Sequence, residues 1–222
     1  MENKIIVAID GPSGTGKSTT AKLLAHKLGI PYIDSGAYYR AITYLIIRNK
    51  IKPNETKKIE DISNACNLKF KDDTILLNGR DITADIRSIE VTNKVSSVSK
   101  IKQVRNVVNE KLRNFAKENG VVMDGRDIAT VVFPDATFKF YMMCDMKVRA
   151  ARRRQDFLDD GQRIPMNKVM LELQKRDEVD TKREEAPLKK HKDAIEVDTT
   201  NMIIEEQVDF LYKRIIGAEN EF

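Results

Sequence analysis

A lysine and a serine stand side by side at positions 17 and 18, behind three glycines, in the stretch GPSGTGKSTT (11–20). Gly11 to Ser18 fits G-x-x-x-x-G-K-[ST] without a mismatch. Gly11, Gly14 and Gly16 allow backbone angles closed to other residues, so consecutive N–H groups can turn inward around an anion. Pro12, Ser13, Thr15 and Thr19 complete the expected cradle. Lys17 would reach the outer phosphates of a nucleoside triphosphate, and the Ser18 hydroxyl would hold magnesium. Such a loop needs a strand before it and a helix after it. Ile5, Ile6, Val7 and Ile9 supply a β-branched run, and Ala21, Leu24, Ala25 and Leu28 recur at helical spacing. The helix N-terminus would add its dipole to the phosphate site.

Three further clusters carry charge where charge could act. Arg149, Arg152, Arg153 and Arg154 follow a strand and precede FLDDGQRIP. By i, i+3, i+4 spacing, Arg149, Arg152 and Arg153 share a helical face. Beside a phosphate loop they read as a lid over 149–166 that neutralises a transferring group. By themselves they would read as a solvated face. In KRDEVDTKR (175–183), Arg176, Asp180 and Arg183 are spaced to share one helix face, with Asp177 beside them. That stretch reads either as a surface salt-bridge ladder or as a substrate face, arginines for phosphate and a carboxylate for sugar hydroxyls. The third cluster, DGRD (124–127), puts Asp124, Arg126 and Asp127 at the end of an apolar strand.

The elements that must position these residues alternate. Strands are expected at 31–33, 121–124, 137–143 and 194–198, with helices at about 36–50, 87–98, 101–118 and 203–215, and a further helix from about 146. Alternation of this kind predicts an α/β fold with a parallel sheet flanked by helices and ligands at the strands' carboxyl ends. The stretch LKFKDDTILLNGRDIT (68–83) breaks the rhythm. Its alternation on either side of Asp72-Asp73 and its Asn78-Gly79 turn predict a small antiparallel meander in an inserted subdomain.

Composition excludes several classes. The 222 residues suit one sizeable core, and 41% hydrophobic content is globular. No stretch is long and apolar enough to span a bilayer. MENKIIVAID enters a core strand at once, so no signal peptide is expected and the cytoplasm is the expected location. Cys66 and Cys144 lack metal spacing and are expected reduced; with only His26 and His191, a histidine metal site is not expected. The net charge of +5 could suit nucleic acid, but tryptophan is absent. The arginines gather at 149, 152, 153 and 154 and at 176 and 183, which a phosphate-handling cleft explains better, so nucleic acid is not an expected partner. A regulatory GTPase would need D-x-x-G and N-K-x-D. The first is absent, and NKVS (93–96) lacks the aspartate. Nothing suggests a motor or a DNA-dependent ATPase.

Several segments together resemble bacterial cytidylate kinases: IDGPSGTGKST, DSGAYYR, NGRDIT with a following IR, VR at 104–105, DGRDIATVVFPDA, KRDEVDTKREEAPL and EVDTT. The resemblance implies a P-loop nucleoside monophosphate kinase fold. The core would be 1–38 with 100–222, and the monophosphate-binding insertion 39–99. It implies transfer of the γ-phosphoryl group of ATP to CMP or dCMP by a monomer. Arg40, Arg126 and Arg183 would hold the acceptor phosphate, with Ser35 nearby. Arg176 and Asp180 would contact the ribose, and Ser96, Arg105 and Asp127 the cytosine. Lys17, Arg126, Arg152 and Arg153 would serve catalysis and Arg149 the ATP. Magnesium would sit on Ser18 and, through water, Asp124. A role for Arg87 is left open. Another small-molecule P-loop kinase, of UMP, AMP or shikimate type, is the nearest rival; the meander and the cytosine-reading pair argue against it.

Overall fold

The computed structural model describes residues 4–71, 74–118, 120–159 and 161–219. The chain forms two compact units, 1–33 with 119–222, and 34–118. The central sheet is built from β1 (Ile6–Asp10), β2 (Tyr32–Asp34), β6 (Val121–Gly125), β7 (Phe138–Met143) and β8 (Ile195–Asp198), in the order β2-β6-β1-β7-β8. β1 runs parallel to β6 and β7, and β7 parallel to β8. The strand order reverses at β1, the switch point at whose carboxyl end open sheets of this kind place their ligands, and there the glycine-rich loop leads into α1 (Lys17–Leu28).

Alternation along β1 explains what is buried where. Val7 and Ile9 join Phe140, Met142, Val122 and Val197 in a core against Ala21, Leu24 and Ala25 of α1 and Leu211 and Ile215 of α8 (Ile204–Glu219). Residues 8 and 10 take the opposite side, which is how an aspartate comes to stand at the end of an apolar strand. A second, smaller cluster holds α6 (Met146–Asp159) to α7 (Met166–Lys182) through Ala150, Val169 and Leu173.

The second unit contains α2 (Ser35–Arg48), α3 (Thr56–Ala65), the antiparallel sheet β3 (Leu68–Lys71), β4 (Thr74–Leu77) and β5 (Arg80–Asp81), then α4 (Ile89–Val98) and α5 (Lys102–Glu118). The expected meander is present as that sheet, and Asn78 and Gly79 take φ of 50° and 85°, the positive pair that a tight hairpin turn requires. The Asp72-Asp73 turn lies outside the described residues, as does Asp160 of the expected lid. This compact unit is wider than the 39–99 insertion read from the sequence. It includes all of α2, and it includes α5, which packs on α2 and α3 through its apolar stripe. Helix α3 escaped the sequence reading because it is short and buries only Ile59 and Ser63, one of them polar.

Among the described residues no helix is long and apolar enough to cross a membrane. Cys66 and Cys144 are free thiols, the first buried.

Gly11 has no room for a side chain. With φ at 152°, a Cβ there would lie 2.2 Å from the Met142 carbonyl oxygen of β7. Because the obstacle is backbone, Gly11→Ala should cost about 2–4 kcal/mol. Urea denaturation at neutral pH measures this directly.

Candidate functional site

The phosphate loop is pre-formed. Gly16 precedes α1 in a left-handed conformation with φ of 91°, and no acidic residue occupies the helix's first turn, which leaves its N–H groups and dipole for an anion. Thr15 is fully buried, and its hydroxyl donates to the Pro12 carbonyl at 3.2 Å. The Lys17 ammonium folds back over the loop and donates to the same carbonyl at 3.0 Å. Gly14 packs against Arg149, and Gly16 against Gln207, whose side-chain oxygen accepts from the Thr20 hydroxyl at 2.7 Å.

Beside this loop, β6 delivers its terminal carboxylate. Asp124 is buried; its two oxygens accept from the Ser18 hydroxyl at 2.7 Å and from the Tyr32 hydroxyl at 2.8 Å. A hydroxyl and a carboxylate are hard oxygen donors, the set that magnesium prefers. Among the described residues no group of three or more His, Cys, Asp or Glu side chains gathers as a metal cage.

Past β6 the chain makes a short wide helical turn over Ile128–Val132. The residues just before it enter two ion pairs, the first partly buried and the second buried. Arg126 Nε donates to Asp180 Oδ2 at 2.8 Å, and Arg183 Nη2 donates to Asp127 Oδ1 at 3.0 Å. Burial pushes the Asp180 carboxyl up, but Arg126, Arg176 and Arg183 together outweigh it and hold the carboxyl below its ordinary range. A third pair joins α6 to α7: Arg149 Nη1 donates to Asp177 at 2.6 Å and to the Ser13 carbonyl of the phosphate loop at 3.1 Å. Asp10 is buried at the end of β1, and its two oxygens each accept one backbone N–H, of Ile128 and Ala129, at 2.8 Å.

The second unit holds Ser35, Arg40, Arg87, Ser96 and Arg105. Arg105 is buried, donates to the Ser99 carbonyl at 3.2 Å and lies 5.5 Å from the Tyr39 ring centre. The Ser96 carbonyl accepts from the Ser99 hydroxyl at 3.1 Å. Arg40 donates to Thr92 at 3.1 Å, Ser35 is buried at the start of α2, and Arg87 is exposed.

Two arrangements differ from the spacing argument. Arg183 does not continue the α7 face. It caps the helix in extended conformation, φ −63° and ψ 141°, and from there its side chain turns to Asp127. The arginines of α6 also diverge. Arg152 donates to the carbonyls of Thr15, Thr199 and Met202, at 3.3, 2.8 and 3.2 Å. Its planar fork thus ties the phosphate loop to the turn after β8, whereas the sequence reading had aimed it at the transferring group. Arg153 is half-exposed, over Phe157 and 3.3 Å from Asp156. The sequence reading missed Asp10, Tyr32, Thr199 and Gln207. Only Asp10 left a signal, an acid ending an apolar run.

Breaking the Arg126–Asp180 pair isolates a largely buried guanidinium, so Asp180→Asn should lose about 3 kcal/mol at pH 7. The folded pKa lies below the ordinary 3.8, so this stabilisation is complete above about pH 4 and disappears as pH falls through the folded value. Denaturation at pH 7 and pH 3 should show a smaller difference between wild type and variant at the acid end.

Comparison with known proteins agrees with this geometry. The family model for cytidylate kinase matches residues 7–216. The cytidylate kinase of Clostridium tetani is 44% identical over 212 residues, covering 96% of this chain and 94% of that one. That of Clostridioides difficile is 43% identical, covering 95% and 98%, and that of Cytophaga hutchinsonii 46% identical, covering 96% and 94%. Among solved structures, an uncharacterized protein from Eubacterium ventriosum has a similar fold, with a TM-score of 0.55 at 14% identity over 97% of this chain and 99% of that one. With the motif intact, the carboxylates and arginines gathered at the strand ends, and relatives above 40% identity along nearly its whole length, the chain belongs to the cytidylate kinase family.

Proposed function

We propose that the protein transfers the γ-phosphoryl group of ATP to CMP or dCMP in the cytoplasm, yielding ADP and the pyrimidine diphosphate. The observation that carries this reading is the placement of Arg126, in a partly buried ion pair, and Asp127, in a buried one, beside an intact phosphate loop. A phosphate acceptor is already an anionic oxygen nucleophile, so no strong general base is required. The protein must instead bring two mutually repelling phosphates together and align them.

Lys17, which donates to the Pro12 carbonyl, would turn to the outer phosphates of ATP. Arg126 and Arg153 would neutralise the transferring group, and Arg149 would hold the donor. Residues 149–166 would act as the lid that excludes water. Magnesium would be held by Ser18 directly and by Asp124 through water; when bound, the ion neutralises charge on the β- and γ-phosphate oxygens. For the acceptor, Arg40, Arg126, Arg183 and Ser35 would take the phosphate, and Arg176 and Asp180 the ribose. Asp127, Arg105 and Ser96 would read the base.

The chemistry of the base supports this choice. Cytosine presents an amino donor beside two acceptors, which a carboxylate and an arginine complement. Uracil would set a carbonyl against Asp127 and an N–H against Arg105, leaving buried polar groups mismatched.

A coupled assay of ADP release across CMP, dCMP, UMP, AMP, GMP and shikimate tests the proposal. CMP or dCMP should give the highest kcat/KM, at least about tenfold above UMP on the discrimination expected of one good polar pair. Preference for AMP or shikimate would overturn it.

A further inference from the structure

Asp10 precedes the glycine-rich loop, yet both of its oxygens point away from that loop's motif. Each accepts a backbone N–H, from Ile128 and Ala129, at 2.8 Å. Those two amides open the turn that follows Arg126 and Asp127. Within the turn, Val131 and Val132 donate to the Asp127 carbonyl at 2.9 and 3.1 Å, and Phe133 to the Ile128 carbonyl at 2.7 Å. Asp10 therefore joins the strand that carries the phosphate loop to the segment that carries Arg126 and Asp127. We propose that Asp10 is a positioning residue for the acceptor. Its carboxylate sets the backbone of residues 127–129, and so the direction in which Asp127 presents its side chain to the base. This rests on the reading of Asp127 given above.

The environment shows what this arrangement demands. Burial pushes the Asp10 carboxyl up to about 7, with Asp127 opposing its ionisation and the two N–H bonds and Lys17 favouring it. Tyr141 faces it from β7, paired with Asp10 across the sheet, and feels its charge. A folded pKa above the ordinary 3.8 means that ionised Asp10 costs stability, increasingly as pH rises from about 4 to about 7. A neutral side chain would avoid that cost. What asparagine cannot do is accept twice, because its amide nitrogen would face one of the two backbone N–H groups as a second donor.

The test is Asp10→Asn in the full-length enzyme, with KM for CMP and for ATP measured separately at pH 8 alongside thermal stability. KM for CMP should rise about tenfold or more, the scale of a lost bond to a charged acceptor, and KM for ATP should change less than about threefold. A variant that only melts earlier, with both KM values kept, would overturn the proposal, and so would equal rises in both. Should the variant not fold, amide NMR of the wild type decides: the Ile128 and Ala129 protons should shift together with one midpoint as the Asp10 carboxyl titrates, and two amides unmoved by that titration would contradict the contact. If wild-type enzyme itself fails to phosphorylate CMP, the functional reading fails first, and the two failures are distinct.

Discussion

Charge buried at the carboxyl end of a parallel sheet is the constraint around which this molecule is organised. Asp10 and Asp124 end adjacent strands almost free of solvent, and Asp127 follows closely beyond β6. Carboxylates in so little water are tolerable only when paired or hydrogen-bonded. Each has a different solution: Asp10 takes backbone N–H groups, Asp124 takes two hydroxyls, and Asp127 takes a guanidinium. Helix α7 completes the set, since it carries Asp177 and Asp180 and ends at Arg183.

That arrangement suits phosphoryl transfer between two nucleotides. The arginines are held in defined directions before any phosphate arrives, so little reorganisation is needed when one does. Pairing also keeps a dense group of cations from repelling one another. Arg152 shows the other use of a guanidinium, as a staple through three backbone carbonyls. Adjacent positions on one helix thus serve unlike purposes, because Arg153, one residue on, turns to Asp156 instead.

Much of this was legible in the sequence where the signal was local. The phosphate loop, its flanking strand and helix, the Asn-Gly hairpin and the alternation of strands with helices are each set by neighbours a few residues apart. Helix α3 went unread because it spans only ten residues, and its large apolar positions, Ile59 and Ile62, are too few to separate a short helix from a loop. The direction of Arg183 was not legible either. Helical spacing extrapolates a face past the last turn, whereas here the chain turns to extended backbone at that residue. Asp10 and Arg152 depend on partners 118 and 47 positions away, on other elements, and no periodicity reports such pairings. The site's composition could be read; its pairing could not.

Base choice should rest on Asp127, aligned by Arg183 and by the Asp10-bound turn. Its most direct test is the ratio of kcat/KM for CMP to that for UMP in wild type and in Asp127→Asn. The ratio should fall by about tenfold or more, mainly through loss of CMP, since an amide can rotate to meet either base. Equal losses for CMP and UMP would contradict this and would assign Asp127 to the phosphate or the magnesium instead.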